Sequence, residues 1–162
     1  MYFSDLGNQS STKNQLIDLF KQSRVPHAIL LSGASGCGHL QLALSFSALL
    51  LCETPNENDA CKSCSSCIKY EKLQHPDLHL SFPIHLSKAE HSETSDDRRE
   101  LFVSSLDKFK CIGKKTWYST MGNENKQGVI GVKESQSIIK KMNFKSFFGG
   151  PKILVMWLPE LM

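Results

Sequence analysis

A glycine-rich loop that follows a short apolar run constrains the fold of this chain more than any other feature. The apolar run covers residues 28–31, and residues 33–40 read G-A-S-G-C-G-H-L. Gly33, Gly36 and Gly38 supply the glycines of the G-x-x-x-x-G-K-[ST] pattern. In that pattern a strand leads into a loop whose backbone N–H groups cradle phosphate, and a helix follows. The sequence therefore predicts an α/β fold of the P-loop type.

The two residues that carry the chemistry of such a loop are replaced. His39 stands where a lysine would reach the β- and γ-phosphates, and Leu40 stands where a serine or threonine would ligate Mg²⁺. Backbone dipoles and the helix N-terminus remain, but the charge and the metal ligand are missing. We therefore expect a vestigial nucleotide-binding loop formed by Gly33, Gly36, Gly38 and His39, with weak or absent ATP binding and no catalytic residue.

Cysteine spacing gives a second strong signal. Four of the six cysteines form a C-x8-C-x2-C-x2-C pattern, at Cys52, Cys61, Cys64 and Cys67. In a reducing compartment such a cluster indicates a metal site more than a disulfide framework, and four thiolates suit tetrahedral zinc. A closed four-thiolate site has no open position, so the zinc is expected to be structural. Cys37 and Cys111 stand apart and are expected to be ordinary thiols.

Composition agrees with a compact domain that lies in the cytoplasm. The chain has 162 residues, of which 40% are apolar and 22% charged, and its formal net charge is +3. That charge is too small to indicate nucleic-acid binding by itself. A local basic cluster is expected to be a solvated loop, since no aromatic spacing accompanies it; it contains Lys108, Lys110, Lys114 and Lys115. No apolar run approaches the roughly 18 residues of a membrane span, and the N-terminus lacks a signal-peptide pattern.

Hydrophobic periodicity predicts alternating helices and strands. Helices are expected at 12–23, 39–51, 65–73, 96–109 and 133–143, and strands at 28–32, 78–84, 128–132 and 153–158. Thr12 fits the capping position of the first helix, and the helix at 39–51 is apolar nearly all round, so we expect deep burial. Ile138, Ile139 and Met142 are expected to face inward. Residues 87–95 are expected to be a polar loop, and 110–126 show no clear period. The alternation implies a mostly parallel sheet flanked by helices.

The order of these motifs resembles a known family. A glycine loop, a helix, the four-cysteine pattern and then His75-Pro76-Asp77 before a strand are similar to the AAA+ module shared by the delta-prime and gamma/tau subunits of the bacterial DNA polymerase III clamp loader. The opening Phe3 to Leu6 with Gln9, and Val25 to Ala28, are similar to the N-terminal signature of that family. Val132 to Lys152 resembles its helix and glycine-rich turn before the acidic ATPase strand. The resemblance covers nearly the whole chain.

Departures from the ATPase pattern favour the non-hydrolysing, delta-prime type. Trp157 and Leu158 stand where the motor subunits have Asp-Glu, and Glu160 lies three residues past Trp157. The resemblance implies a rigid stator with an arginine finger in a Ser-Arg-Cys segment, which this sequence lacks. We therefore expect 1–162 to be the N-terminal part of a AAA+ domain, with a zinc module at 52–67 and a polar insertion at about 87–126. The lid and collar domains would lie outside this chain.

The resemblance implies a protein that is not an enzyme by itself and that helps load the sliding clamp onto DNA during replication. Its expected partners are gamma/tau-type and delta-type subunits, with the sliding clamp and primer-template DNA reached through the assembled complex, and no membrane. Two alternatives remain at this point, an active AAA+ ATPase that uses His39 in place of lysine and a zinc-ribbon nucleic-acid-binding module. The other histidines share no helical face, so a second metal site is not expected from His27, His75, His79, His85 and His91.

Overall fold

A computed structural model of the chain describes residues 1–7, 10–34, 36–86, 94–122 and 126–162. These residues form two compact units, Met1–His75 and Pro76–Met162. Gln9, Ser35, His91 and most of the polar loop expected at 87–95 lie outside the described residues. Within the described residues, every helix is too short or too polar to span a lipid bilayer.

The first unit is helical. It contains a short 3-10 helix at Phe3–Asp5 and three α-helices, α1 (Ser10–Lys21), α2 (His39–Leu51) and α3 (Ser65–Glu71). Helix α2 is buried along most of its length, as its nearly uniform apolar sequence predicts. The core of this unit contains Phe3, Leu16, Ile17, Leu42, Phe46 and Leu49.

Helix α1 begins earlier than its sequence predicts. The helix begins at Ser10, so Thr12 lies inside it and the capping box expected there is wrong. Three consecutive hydroxyl residues all fit an N-cap pattern, and the sequence could not choose between them. The other end agrees with expectation. Arg24 N–H donates to the Leu19 carbonyl at 3.0 Å, and Ser23 takes a left-handed φ of 51°, as in a Schellman motif.

The buried strand expected at 28–32 does not form. Residues 28–32 carry no strand assignment, and Leu30 is 78% exposed. Within the first unit, the described residues contain no other strand with which this segment could share a hydrogen-bond ladder. An apolar run alone cannot satisfy its backbone groups as a strand.

The second unit contains a two-stranded parallel sheet. Strand β1 (Leu78–Ser81) pairs with β2 (Ile153–Met156) in the register Leu78↔Ile153 to Ser81↔Met156. Parallel neighbours need a crossover connection. Here it contains a 3-10 helix at Ser95–Arg98 and the helices α4 (Arg99–Phe109), α5 (Lys114–Thr120) and α6 (Val132–Asn143). A last 3-10 helix covers Pro159–Leu161. The described residues thus show helices and a small parallel sheet, as expected for an α/β fold. They do not show the full sheet of a P-loop fold.

Three predictions for the second unit need correction. The strand expected at 128–132 is a single antiparallel bridge between Ile84 and Val129, and Val132 already belongs to α6. Strand β2 ends at Met156 and is only half-buried, whereas a buried strand to Leu158 was expected. Helix α5 lies in the stretch 110–126, for which no period was seen. Only seven residues long, it is too short to show one.

Helix α6 turns inward a face that agrees with the prediction only in part, since Ile138 is half-buried as expected. Ile139 is 61% exposed and Met142 is also exposed, whereas Glu134 is buried. The Glu134 carboxylate accepts a hydrogen bond from the Ser95 backbone N–H at 2.8 Å. Because this N–H begins a 3-10 helix and would otherwise be unpaired, the buried carboxylate fixes the rotation of α6.

An aromatic cluster anchors α4 and α5 to β1. The Phe82 and Phe102 rings stack with centroids 4.0 Å apart, and Trp117 meets them edge-on at 5.3 and 5.1 Å. All three side chains are fully buried, and Trp117 Nε1–H donates to the Pro83 carbonyl at 2.7 Å. The cluster therefore joins residues far apart in sequence into one core.

We expect Phe102→Ala to destabilise the protein by about 3–5 kcal/mol, since it opens a cavity at the centre of this cluster. Urea unfolding followed by circular dichroism measures the change. Phe144→Ala removes the same ring from an exposed position and is expected to change stability by less than about 0.5 kcal/mol. Equal effects of the two substitutions would contradict the assignment of the core.

Candidate metal centre and phosphate loop

The four predicted cysteines converge on one small volume. The Sγ atoms of Cys52, Cys61, Cys64 and Cys67 all lie within 4.8 Å of one another. Two of the pairs are 4.0 Å (Cys52 to Cys64) and 3.9 Å (Cys61 to Cys67) apart. A tetrahedral ion with metal–sulfur bonds of about 2.3 Å has sulfur–sulfur edges of about 3.8 Å. The spacing therefore suits a metal ion and is far too long for disulfides.

Backbone N–H groups point at these sulfur atoms. Cys61 N–H donates to Cys52 Sγ at 3.3 Å, Cys64 N–H to Cys61 Sγ at 3.3 Å, and Cys67 N–H to Cys64 Sγ at 3.4 Å. The last of these bonds also caps the N-terminus of α3. Such N–H···S bonds favour thiolate over thiol, so the local fold prepares the sulfurs as ligands.

The pKa shifts of the cysteines, together with the repulsion between their thiolates, also favour a bound cation. A hydrogen bond from the Thr54 side chain, with further bonds from the Ser63 and Cys64 backbone, lowers the pKa of Cys61 to about 5. Burial, in contrast, raises the pKa of Cys52 and of Cys67. Four negative sulfurs at this separation repel one another strongly. A divalent cation offsets that repulsion and removes the remaining protons, so the cluster fits a structural metal such as zinc.

Two carboxylates that the sequence analysis missed hold the module in place. Glu53 accepts hydrogen bonds from the Ser65 and Ser66 hydroxyls at 2.6 and 2.9 Å and from Ser66 N–H at 3.1 Å, at the start of α3. These bonds, that of Ser65 first, lower the pKa of Glu53. Asp59 accepts from the Phe3 and Ser4 backbone N–H groups at 3.1 and 2.9 Å. The Cys52–Cys61 loop therefore positions the N-terminal segment as well as its own ligands.

The histidines lie outside the metal cluster. His75 is buried, and its Nε2 lies 3.2 Å from Ser66 Oγ, next to the hydroxyl that Glu53 holds. Burial lowers the pKa of His79 and of His85, both of which belong to the second unit. Among the described residues, the four cysteines are the group that could hold a metal ion. His27, His75, His79 and His85 are not part of that group, and His91 is not described.

The glycine loop has the backbone of a helix-capping turn. Gly36 and Gly38 take left-handed φ angles of 85° and 83°, and Gly38 is the N-cap of α2. A side chain at either position would be strained. Gly33 is restricted by space instead, since a Cβ there would lie 2.8 Å from His39 Nε2. The predicted loop residues thus lie together at the N-terminus of a 13-residue helix.

The two replaced residues point in different directions. The His39 ring folds back over Gly33, and its Nε2 lies 2.9 Å from Cys37 Sγ. Leu40 is only 4% exposed, so its side chain is part of the protein interior. The aliphatic Leu40 side chain also has no atom that could ligate Mg²⁺. The His39 imidazole lies close to the loop backbone.

In the second unit, the residues at the end of β2 are used for packing. Trp157 N–H donates to the Ser81 carbonyl at 2.8 Å and its ring lies 5.8 Å from that of Phe102. Leu158 takes a left-handed φ of 59°, and Glu160 is exposed in the following 3-10 helix. None of these three residues places a carboxylate at the end of the strand.

We expect about one zinc per chain, bound by the four cysteines, and we expect Cys64→Ser to lower that content. The substitution removes both a ligand and the sulfur that caps α3, so the melting temperature should fall too. Elemental analysis and thermal unfolding of reduced protein measure the two effects. Cys111→Ser changes an exposed cysteine outside the cluster and should leave both unchanged. Reduced protein without stoichiometric metal would contradict the assignment.

Comparison with known proteins agrees with the order of motifs. Residues 8–162 match the family described as DNA polymerase III, delta subunit. The chain is also 36% identical over 72 residues to DNA polymerase III subunit delta' of Bacillus subtilis (strain 168). That alignment covers 44% of this chain but only 22% of the Bacillus protein. Because the family match extends over nearly the whole sequence, this chain belongs to the DNA polymerase III delta subunit family.

Proposed function

We propose that the chain is the N-terminal AAA+ part of a delta-prime-type, non-hydrolysing subunit of the DNA polymerase III clamp loader. In this role it acts in the cytoplasm and helps load the sliding clamp onto primer-template DNA. The observation that carries the proposal is the state of the glycine loop, whose backbone is kept while Leu40 is buried and His39 folds over Gly33. Family membership supplies the context of DNA replication.

The loop chemistry supports weak nucleotide binding. A triphosphate carries several negative charges, and a lysine ammonium normally neutralises part of them. A helix N-terminus and backbone N–H groups attract an anion but supply only partial charges. With His39 in place of lysine and Leu40 in place of the hydroxyl ligand, the loop lacks the cation and, at position 40, the oxygen that would ligate Mg²⁺.

The end of β2 supports the same proposal independently. An ATPase of this class needs a carboxylate there to hold Mg²⁺ and orient water. Trp157 and Leu158 occupy those positions and take part in backbone pairing and packing. Two separate requirements for hydrolysis are therefore missing, which favours a structural subunit over the alternative of an active ATPase that uses His39.

The proposed zinc has a structural role. Four cysteines complete a tetrahedral shell, so no position remains for a substrate or water. The zinc-ribbon alternative, a free-standing nucleic-acid-binding module, is less well supported. The cysteine module here packs into a unit whose core also contains α1 and α2, and Asp59 ties it to the N-terminal segment.

We expect no hydrolysis of ATP and no micromolar, magnesium-dependent binding of it. Isothermal titration and a phosphate-release assay measure the two quantities. His39→Lys restores a cation and should strengthen ATP binding, but it should not create turnover because Leu40, Trp157 and Leu158 remain. Turnover by the unmodified chain, or tight binding that requires Mg²⁺, would contradict the proposal and favour the ATPase alternative.

Assembly provides a second test. A protein with these 162 residues as its N-terminal part is expected to co-purify with gamma/tau-type and delta-type subunits. The 162-residue chain alone should bind them much more weakly, because we propose that the main oligomerising contacts belong to a collar domain outside it. Pull-down with each subunit type measures both. A stable homohexamer of the isolated chain with ATP turnover would overturn the stator role.

A further inference from the structure

An open cleft lies between α4 and α5. It has no role in the functions proposed above. Its volume is about 960 Å³, and its walls include Ser104, Lys108 and Phe109 from α4 with Lys115, Tyr118 and Ser119 from α5. This region lies in the insertion at about 87–126, for which the sequence predicted a helix at 96–109 and no clear period at 110–126. The buried Trp117 packs α5 against the core of the second unit.

The lining of the cleft is basic and rich in hydroxyl groups. None of the described residues that line it is acidic, whereas Lys108 and Lys115 bring two ammonium groups to it. From Arg99 to Thr120 the chain has five basic and two acidic side chains. Two lysines of the basic cluster, which was expected to be a solvated loop, therefore line one cleft. Ammonium and hydroxyl groups are typical donors to phosphate oxygens.

Aromatic rings accompany the lysines. Phe109 is 42% exposed and lies at the cleft, with Lys108 Nζ 5.1 Å from its ring centroid. Tyr118 is only 6% exposed, and its hydroxyl is buried with no hydrogen-bond partner among the described residues. Because that hydroxyl is shut off from the cleft, Phe109 is the aromatic ring that a ligand there can reach.

We propose that this cleft binds single-stranded nucleic acid. Lys108 and Lys115 contact phosphates, and an unstacked base takes the place on the exposed Phe109 ring that Lys108 Nζ occupies in the free chain. An open cleft with an aromatic platform and flanking cations is the arrangement that binds single strands with little regard to sequence. In a duplex the bases are stacked on one another, so no base face is free to stack on the Phe109 ring. This site is separate from the metal cluster and the glycine loop, and it goes beyond the proposed clamp-loader function.

The test uses the full chain and a fluorescent 12-nucleotide oligothymidylate at low salt, with binding followed by anisotropy. We expect binding that weakens as salt rises. The double variant Lys108→Ala/Lys115→Ala should bind at least ten-fold more weakly and should show a shallower salt dependence, by about 1.4 in the log–log slope for two phosphate contacts. The matched control Lys140→Ala/Lys145→Ala removes two exposed lysines outside the cleft and should bind like the unmodified chain.

A second variant tests the aromatic contact. Phe109→Leu keeps the charge and an apolar side chain, and circular dichroism checks that the fold is intact. Loss of one stacked base should weaken oligonucleotide binding by roughly 5- to 150-fold. Unchanged binding by this variant, or by the Lys108/Lys115 double variant, would overturn the proposal.

Competitors separate the proposed ligand from other anions. Unlabelled oligothymidylate should displace the probe, while polyglutamate of equal charge and a duplex of equal length should compete poorly. Equal competition by polyglutamate would assign the cleft to acidic peptides, and equal competition by the duplex would remove the role of Phe109. Absence of binding by the unmodified chain at low salt would also overturn the proposal. None of these outcomes depends on clamp loading, so the cleft and the clamp-loader role fail separately.

Discussion

The convergence of four sulfur atoms sets the geometry of the first unit. Cys52 follows the end of α2, and Cys64 caps the start of α3, so the cluster fixes how these helices approach each other. Asp59, in the loop between the first two cysteines, holds the backbone of the N-terminal segment. Burial disfavours ionisation of Cys52 and Cys67, and a divalent cation reverses that balance when bound. The cysteines thus position the loop and the start of α3, and Asp59 in the same loop positions the N-terminal segment.

The glycine loop keeps its backbone conformation although the lysine and the hydroxyl that would bind nucleotide and Mg²⁺ are replaced. Gly36 and Gly38 are required by their left-handed backbone, whether or not phosphate binds. Leu40 is buried, where an apolar side chain of its size contributes about 1.5–3 kcal/mol, whereas a magnesium-binding hydroxyl would have to stay accessible. The substitution therefore stabilises the fold at the position where the proposed function no longer needs a ligand.

Features that depend on neighbouring residues were predicted from the sequence, whereas features that depend on a partner far away in the sequence were not. The helices at 39–51 and 65–71 and the four-cysteine site follow from apolar period and ligand spacing, which are properties of neighbouring residues. Residues 28–32 failed as a strand because a strand depends on a partner that sequence alone does not specify. In α6 the period identified a face, but pairing of Glu134 with the Ser95 backbone decided which face is buried. Hydrogen-bond satisfaction of distant groups overrode hydrophobic pattern there.

In the insertion at about 87–126, a contact between distant residues again decides a structure that the local sequence does not predict. Its composition is polar, and a lysine-rich stretch with glycine reads as a solvated loop. Trp117 changes that outcome, because its ring meets the stacked Phe82 and Phe102 rings edge-on and its N–H donates to the Pro83 carbonyl. Once that one side chain is buried, α5 is held beside α4, so Lys108 and Lys115 border the same cleft. Burial of Trp117 therefore groups two exposed cations on one stretch of surface, and cations grouped in this way are what a phosphate backbone binds.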